Sequence, residues 1–417
     1  MSSLAYGVLW IFVFAVPWER LVAVPGLAIV TRVAGGLALG LALLSIVVQG
    51  RVRRWRLFHM AGFLFVVWTG FGVWYFSMPV VPQKLYTFAQ LFVVLCLVWE
   101  LASTPKLQAG ILSAYVLGSS VPAIATIVLY VQEGGSGRRF SAGGADANNL
   151  AMTLVLGLPI AWYLATTTRN PVWRWIFRAY IPLCILATAL SGSRGGLLTL
   201  MVALLVIPLT MTLSTGRLTA AIALLALSGA LTVAYVPEAV VERLGTTGAE
   251  VEDASFGGRF KLWVAGVHAF SRRPIMGYGV AGFIPAVTPE LGPMALVAHN
   301  SFLSVVVEEG LIGLMFFLLM LLSVFQAIIR LPHLERRFAL VLFATLVTAM
   351  MPLTWEDSKV AWLMMAILVG MSTLRVTAAR AAQRAPGRAQ RTVRRPLAGQ
   401  SLEGLRPSAR DIGGNPA

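Results

Sequence analysis

The chain has 417 residues, 58% of them hydrophobic and 12% charged, with 33 Lys and Arg against 17 Asp and Glu for a formal charge of +16 and a mean hydropathy of +0.80. Too little polar surface exists to wrap a soluble fold, so lipid is the expected solvent. The positive charge lies between apolar runs and in the C-terminal tail, with no basic patches interleaved with exposed aromatics; membrane topology, not a nucleic-acid partner, accounts for it.

The first run, Leu4 to Val16, has no basic region before it and no small-residue cleavage site, and reads as a retained membrane helix. Apolar stretches long enough to cross about 30 Å of hydrocarbon, given tilt and interfacial flanks, are expected near 4–18, 33–49, 58–76, 85–102, 108–131, 148–168, 179–191, 195–213, 218–236, 300–329, 338–353 and 358–375, twelve in all. The segment 21–32, with Val24-Pro25-Gly26 and Arg32, is expected to be a short interfacial piece. Cys96 and Cys184 fall inside apolar runs, where a thiol behaves as a small hydrophobe. No internal repeat and no inverted pair of interrupted helices is read in the pattern.

Alternating these spans collects Arg51, Arg53, Arg54, Arg56, Lys106, Arg169, Arg174, Arg178, Arg217, Arg330, Arg336, Arg337 and the tail Arg375 to Arg410 on one side. The positive-inside rule makes that side cytoplasmic, with both termini inside. The expected domains are a helical membrane region, 1–375, that includes a long outer loop at 237–299, and a basic, disordered tail, 376–417, in contact with anionic lipid. Within the long loop, the acidic stretch Glu250-Val251-Glu252-Asp253 precedes an amphipathic run from Arg259 to Phe270, with Leu262, Trp263, Val267 and Phe270 at helical spacing. That run is expected to lie on or just above the membrane.

Four features fall on the outer side. Ser193-Arg194-Gly195-Gly196 opens a helix with two glycines after an arginine, a setting suited to phosphate and equally to a tight turn with an arginine reaching for water. Gly257-Gly258-Arg259 enters the amphipathic run, and Pro274-Ile275-Met276-Gly277-Tyr278-Gly279 closes it. His299-Asn300-Ser301 stands at a helix start, where a cap alone would explain it. Arg138 and Arg139 lie beside Asp146, Asn148 and Asn149 on the side normally poor in arginine. Several guanidinium groups and an imidazole on one membrane face suit a lipid-borne diphosphate. Arginine binds phosphate oxygens bidentately and neutralises a departing pyrophosphate, and histidine can accept a hydroxyl proton. No residues stand at obvious metal-ligand spacing beyond Glu250, Glu252 and Asp253, which also read as a solvated acidic turn, so metal-independent chemistry without a cofactor is expected.

The turn at 193–196, the Gly-Arg…Trp…Pro-Ile-Met-Gly-Tyr-Gly stretch at 258–279, and Ala298-His299-Asn300-Ser301-Phe302-Leu303 followed by Glu309-Gly310-Leu311-Ile312-Gly313, in this order, resemble the O-antigen ligase and polymerase superfamily of bacterial inner-membrane proteins. The resemblance covers approximately 130–315 by motif and the remainder by helix count. It implies a membrane-embedded glycosyltransferase of the GT-C type in a Gram-negative inner membrane, with its site facing the periplasm. In the ligase branch a polysaccharide passes from undecaprenyl pyrophosphate to lipid A-core. Carried over by motif, Arg194 and Arg259 would hold the pyrophosphate, with Arg138 and Arg139 added from the family's Asn-containing loop. His299 would serve the acceptor hydroxyl beside Asn300, and the displacement would invert configuration. A polymerase or a protein O-oligosaccharyltransferase of the same superfamily shares the donor chemistry. A lipid-linked sugar flippase would instead line a path with charges deep in several spans.

Overall fold

The computed structural model describes residues 2–19, 28–72, 81–135, 139–210, 215–238, 240–241 and 259–384. Residues 1–376 form one unit and 377–417 a second. The described residues are helical and carry no strand: α1 Ser2–Ala15, α2 Ala28–Gln49, α3 Leu57–Gly72, α4 Val81–Leu101, α5 Pro105–Gln132, α6 Ala147–Thr167, α7 Pro171–Leu190, α8 Arg194–Leu204, α9 Val206–Thr210, α10 Thr215–Tyr235, α11 Arg259–Arg272, α12 Phe283–Leu291, α13 Ser301–Ile329, α14 His333–Met350 and α15 Lys359–Arg384. Among the described residues six stretches, Ile29–Val48, Pro82–Leu101, Pro105–Gln132, Ala147–Thr167, Pro171–Leu190 and Ser301–Ile329, are long and apolar enough to cross a membrane; Ser3–Trp18, Leu57–Gly72, Arg194–Thr210, Ala221–Thr232 and Lys359–Leu374 are shorter apolar helices.

Several boundaries depart from expectation for local reasons. α7 begins eight residues before the expected 179, because the Asn170 side chain caps Val172 and Trp173 and Pro171 occupies the first turn, so Arg174 and Arg178 are helical. The run 195–213 is divided between α8 and α9, since Pro208 offers no N–H to the Leu204 carbonyl. The expected interfacial piece 21–32 is in part helix, α2 starting at Ala28; 20–27 lies outside the described residues. α15 runs past 375 to Arg384 through an alanine-rich stretch of high helix propensity, and 385–417 lies outside the described residues.

α6 sits at the centre, with 89% of its apolar window buried, and packs against α5, α7, α8 and α14. The buried hydroxyls of Tyr115 and Tyr180 donate to the Thr153 and Leu154 carbonyls at 2.8 and 2.7 Å. Polar tips are thereby satisfied where lipid could not serve them. Cys184 is buried, Cys96 half-buried, and both are free.

The long loop holds more order than the pattern suggested. α11 appears as expected, but its buried face is Leu262, Ala265, Gly266 and Ala269, while Val267 is 54% exposed. Small residues let α11 press against α12 and the start of α13, where Leu303 and Phe283 approach Gly266. The helix is thus seated on protein along that face. α12 was not foreseen, its signal masked by Pro285 and Pro289.

Candidate functional site

The first turn of α6 joins two hydrogen-bond networks. Asp146 caps it, accepting from the Asn149 backbone N–H at 2.8 Å and from Asn149 Nδ2 at 3.0 Å. On one flank, Asn148 Oδ1 accepts from Arg139 at 3.1 Å and from Ser193 Oγ at 2.9 Å. Arg139 Nε donates to the Ser191 carbonyl at 3.2 Å. Ser193 Oγ in turn accepts the Gly196 N–H at 3.1 Å and so caps α8, whose first residue is Arg194. The two glycines that follow have a packing reason: a Cβ on Gly195 would lie 3.1 Å from Pro352, and one on Gly196 2.6 Å from the Ala151 methyl. The Gly196 N–H is taken by the cap. Any anion at this helix start therefore meets Arg194 and the first two N–H groups.

On the other flank, Asn149 Oδ1 accepts the Trp355 indole N–H at 2.6 Å. The neighbouring Thr354 Oγ1 accepts the His299 backbone N–H at 3.1 Å. His299 holds φ at 47°, a left-handed conformation that a histidine adopts only where its surroundings impose it. Next to it, Asn300 Oδ1 caps α13, accepting from Phe302 and Leu303. Ser301 Oγ donates to the Leu353 carbonyl and accepts the Trp355 N–H, both at 2.8 Å. The His299 turn is therefore stitched to the 353–355 connection on both sides.

Arg259 is the first residue of α11. Burial and then the Arg259 charge push the His299 imidazole below its ordinary value, and Asp146 opposes them. The α11 end, the His299 turn and the α6 cap are thus electrostatic neighbours. The Trp263 indole donates to the Ala298 carbonyl at 3.0 Å, tying α11 to the residue before His299. Of the residues singled out in the sequence, Arg139, Arg194, Arg259, His299 and Asn300 are accounted for here. Arg138, Gly257, Gly258, Glu250, Glu252 and Asp253 lie outside the described residues.

Two features were missed. The first is a break in α13 at Gly310, where φ is 66° and ψ −168°. The 274–279 segment fills it with main-chain bonds: the N–H groups of Tyr278 and Gly279 donate to the Val307 and Glu308 carbonyls at 3.0 and 2.7 Å, and the Pro274 carbonyl accepts from Leu311 at 2.8 Å. The Trp68 indole of α3 covers the Glu309 carbonyl at 2.9 Å. The second is a group of buried charges beneath the His299 turn. Lys84 of α4 lies 2.7 Å from Glu308 and 3.5 Å from Glu356; Glu356 accepts from Ser304 Oγ at 2.8 Å. Burial pushes the Glu356 carboxyl above its ordinary range against the pull of Lys84. In the sequence Lys84 stands just before the expected span 85–102, and no local pattern connects it to acids more than two hundred residues away.

A family model described as O-antigen ligase matches residues 179–318. That span contains Arg194, Arg259, His299 and Gly310, while α6 and Arg139 lie before it. No curated protein matches the chain.

Proposed function

We propose, from the premise that this is an O-antigen ligase-family protein over 179–318, that it joins O-antigen polysaccharide from undecaprenyl pyrophosphate to lipid A-core. The observation that carries this reading is the chain of bonds that ties α11, which begins at Arg259, to the residue before His299 through Trp263, and the His299 turn through Thr354 and Trp355 to the α6 turn that also holds Ser193 beside Arg194. Arg194 and Arg259 hold the pyrophosphate, with Arg138 and Arg139 as further phosphate-binding groups. His299 takes the proton of the acceptor hydroxyl as that oxygen attacks the anomeric carbon. The bond from that carbon to the pyrophosphate breaks, the two arginines receive the growing charge, and undecaprenyl pyrophosphate leaves. A single displacement inverts the anomeric centre. Metal is not required in this scheme, because guanidinium groups neutralise the leaving group.

The helices form twelve crossings of a Gram-negative inner membrane in this reading, of GT-C type, with both termini cytoplasmic and the site periplasmic. Loop charge supports that orientation.

The test is purified full-length protein in detergent with undecaprenyl-pyrophosphate-linked glycan and rough lipopolysaccharide, EDTA present. Glycan on lipid A-core is the expected product. Lengthening on the carrier would make the protein a polymerase, and carrier movement across vesicles with no new bond would end the enzyme reading. Arg194→Ala and Arg259→Ala should each lower transfer by about a hundredfold or more while the protein still inserts; near-normal turnover in either removes that arginine from the site.

A further inference from the structure

We propose that Lys84, bridging Glu308 and Glu356, is a positioning residue that sets where the Arg259-bearing helix stands relative to the His299 turn. The proposal rests on the transfer reading for its kinetic consequence and on geometry alone for its structural one.

Two modules meet at this lysine. Glu308 Oε2 accepts the Ala281 N–H at 3.0 Å and Oε1 the Phe283 N–H at 3.4 Å, so this carboxylate holds the entry to α12. The segment just before that entry, 274–279, is locked into the α13 break and leads back through α11 to Arg259. Glu356 belongs to the other module. Its Oε1 binds Ser304 on α13, and Thr354, two residues earlier, holds His299. Lys84 contacts both carboxylates, and its side chain is only 14% exposed. A third acid, Glu309, is buried nearby, with neither carboxyl oxygen in a hydrogen bond. Two carboxylates thus contact one ammonium, with a further buried acid at the next position of α13.

Such a group is a poor device for stability, since buried ion pairs exchange hydration for contacts with little net gain. Its distinguishing property is directional. The charge-assisted hydrogen bonds between ammonium and carboxylate are strongest at short separation, so the lysine favours one spacing of the two backbones that carry the acids. Ser304 and Glu308 lie about one and two helical turns below Asn300, roughly 6 and 12 Å along the axis. A shift at Lys84 is therefore passed to the reacting groups by short, rigid elements. Displacing a reacting group by about 1 Å can cost a hundredfold in rate.

The test uses full-length protein in which Cys96→Ala and Cys184→Ala leave spin labels only at Val267→Cys on α11 and Met351→Cys beside the 353–356 connection, both exposed positions. With Lys84 present, or as Lys84→Arg, one narrow inter-label distance is expected. Lys84→Gln should broaden or shift it, and should lower kcat by about tenfold to a hundredfold with donor KM within about twofold. An unchanged distance in Lys84→Gln overturns the proposal whatever happens to activity, as does a changed distance with normal kcat in a protein that transfers glycan. If Lys84→Gln fails to fold, the triple Lys84→Gln/Glu308→Gln/Glu356→Gln, which neutralises both carboxylates that Lys84 contacts, must show the same loss of a single distance. Because the distance needs no substrate, it also decides the matter if the wild-type protein makes a different bond or none.

Discussion

His299 is the residue on which most of the local design bears. Its backbone is held in a left-handed turn between the Thr354 bond on one side and the Asn300 cap on the other. A base must be neutral to accept a proton, and burial with the Arg259 charge keeps the ring neutral to lower pH than usual. Transfer should therefore rise with pH through a limb below the ordinary histidine value and then level off. Asp146 opposes that depression, so Asp146→Asn should move the acid limb of kcat/KM to still lower pH and lower the plateau, since the base is weakened. A pH profile of both proteins checks this; coincident acid limbs would dissociate Asp146 from the histidine. Arg194, Arg259 and His299 are legible as candidates because each sits in a short local motif. Asn149, Thr354 and Trp355 were not, because their roles exist only through partners on other helices. Ser193 falls between: its capping position before a helix start is readable, its bond to Asn148 is not. Ser193→Ala should cost about 1 kcal/mol of stability from the lost cap and reduce transfer through Arg194, measured by thermal unfolding beside turnover.

At the scale of elements, glycine and proline govern what hydropathy could not show. The expected span 300–329 is one apolar run by composition, yet it is two helical pieces joined at Gly310. A Cβ at Gly310 would stand 2.1 Å from the Ile275 carbonyl, and one at Gly277 2.4 Å from the Glu308 carbonyl, with both residues at positive φ. Neither clash can relax by moving a flexible side chain, because the opposing atoms are backbone. Gly310→Ala and Gly277→Ala are each expected to cost roughly 1–3 kcal/mol or more, lowering the unfolding temperature in detergent, whereas Met276→Ala, at a 44% exposed position, should have little effect. The Pro-Ile-Met-Gly-Tyr-Gly and Glu-Gly-Leu-Ile-Gly motifs were readable as motifs. That they are two halves of one joint required the fold.

For the whole molecule, each of the expected runs contains helix among the described residues, and six helices there meet the length and hydropathy of a simple span. Among the shorter ones, the run Arg194–Thr210 is divided into α8 and α9 near Pro208. Apolar periodicity locates helices well, yet says little about which of them are shared with neighbours instead of lipid. The proposed orientation makes a direct prediction. In the protein with Cys96→Ala and Cys184→Ala, a cysteine at Met294, 71% exposed, should react with a membrane-impermeant thiol reagent in spheroplasts. A cysteine at Arg336 should react only after the inner membrane is opened. The reverse pattern would place the candidate site in the cytoplasm.

The joint at Gly310 also bears on how the protein is made. The 274–279 segment leaves the ribosome before the helix that receives it, so under the proposed orientation it is already across the membrane when Ser301–Ile329 enters. The carbonyls of Val307 and Glu308 and the N–H of Leu311 then find main-chain partners on arrival. Without them, each would be a costly unsatisfied group in hydrocarbon. Chain order thus lets a discontinuous helix be inserted late without exposing its gap to lipid.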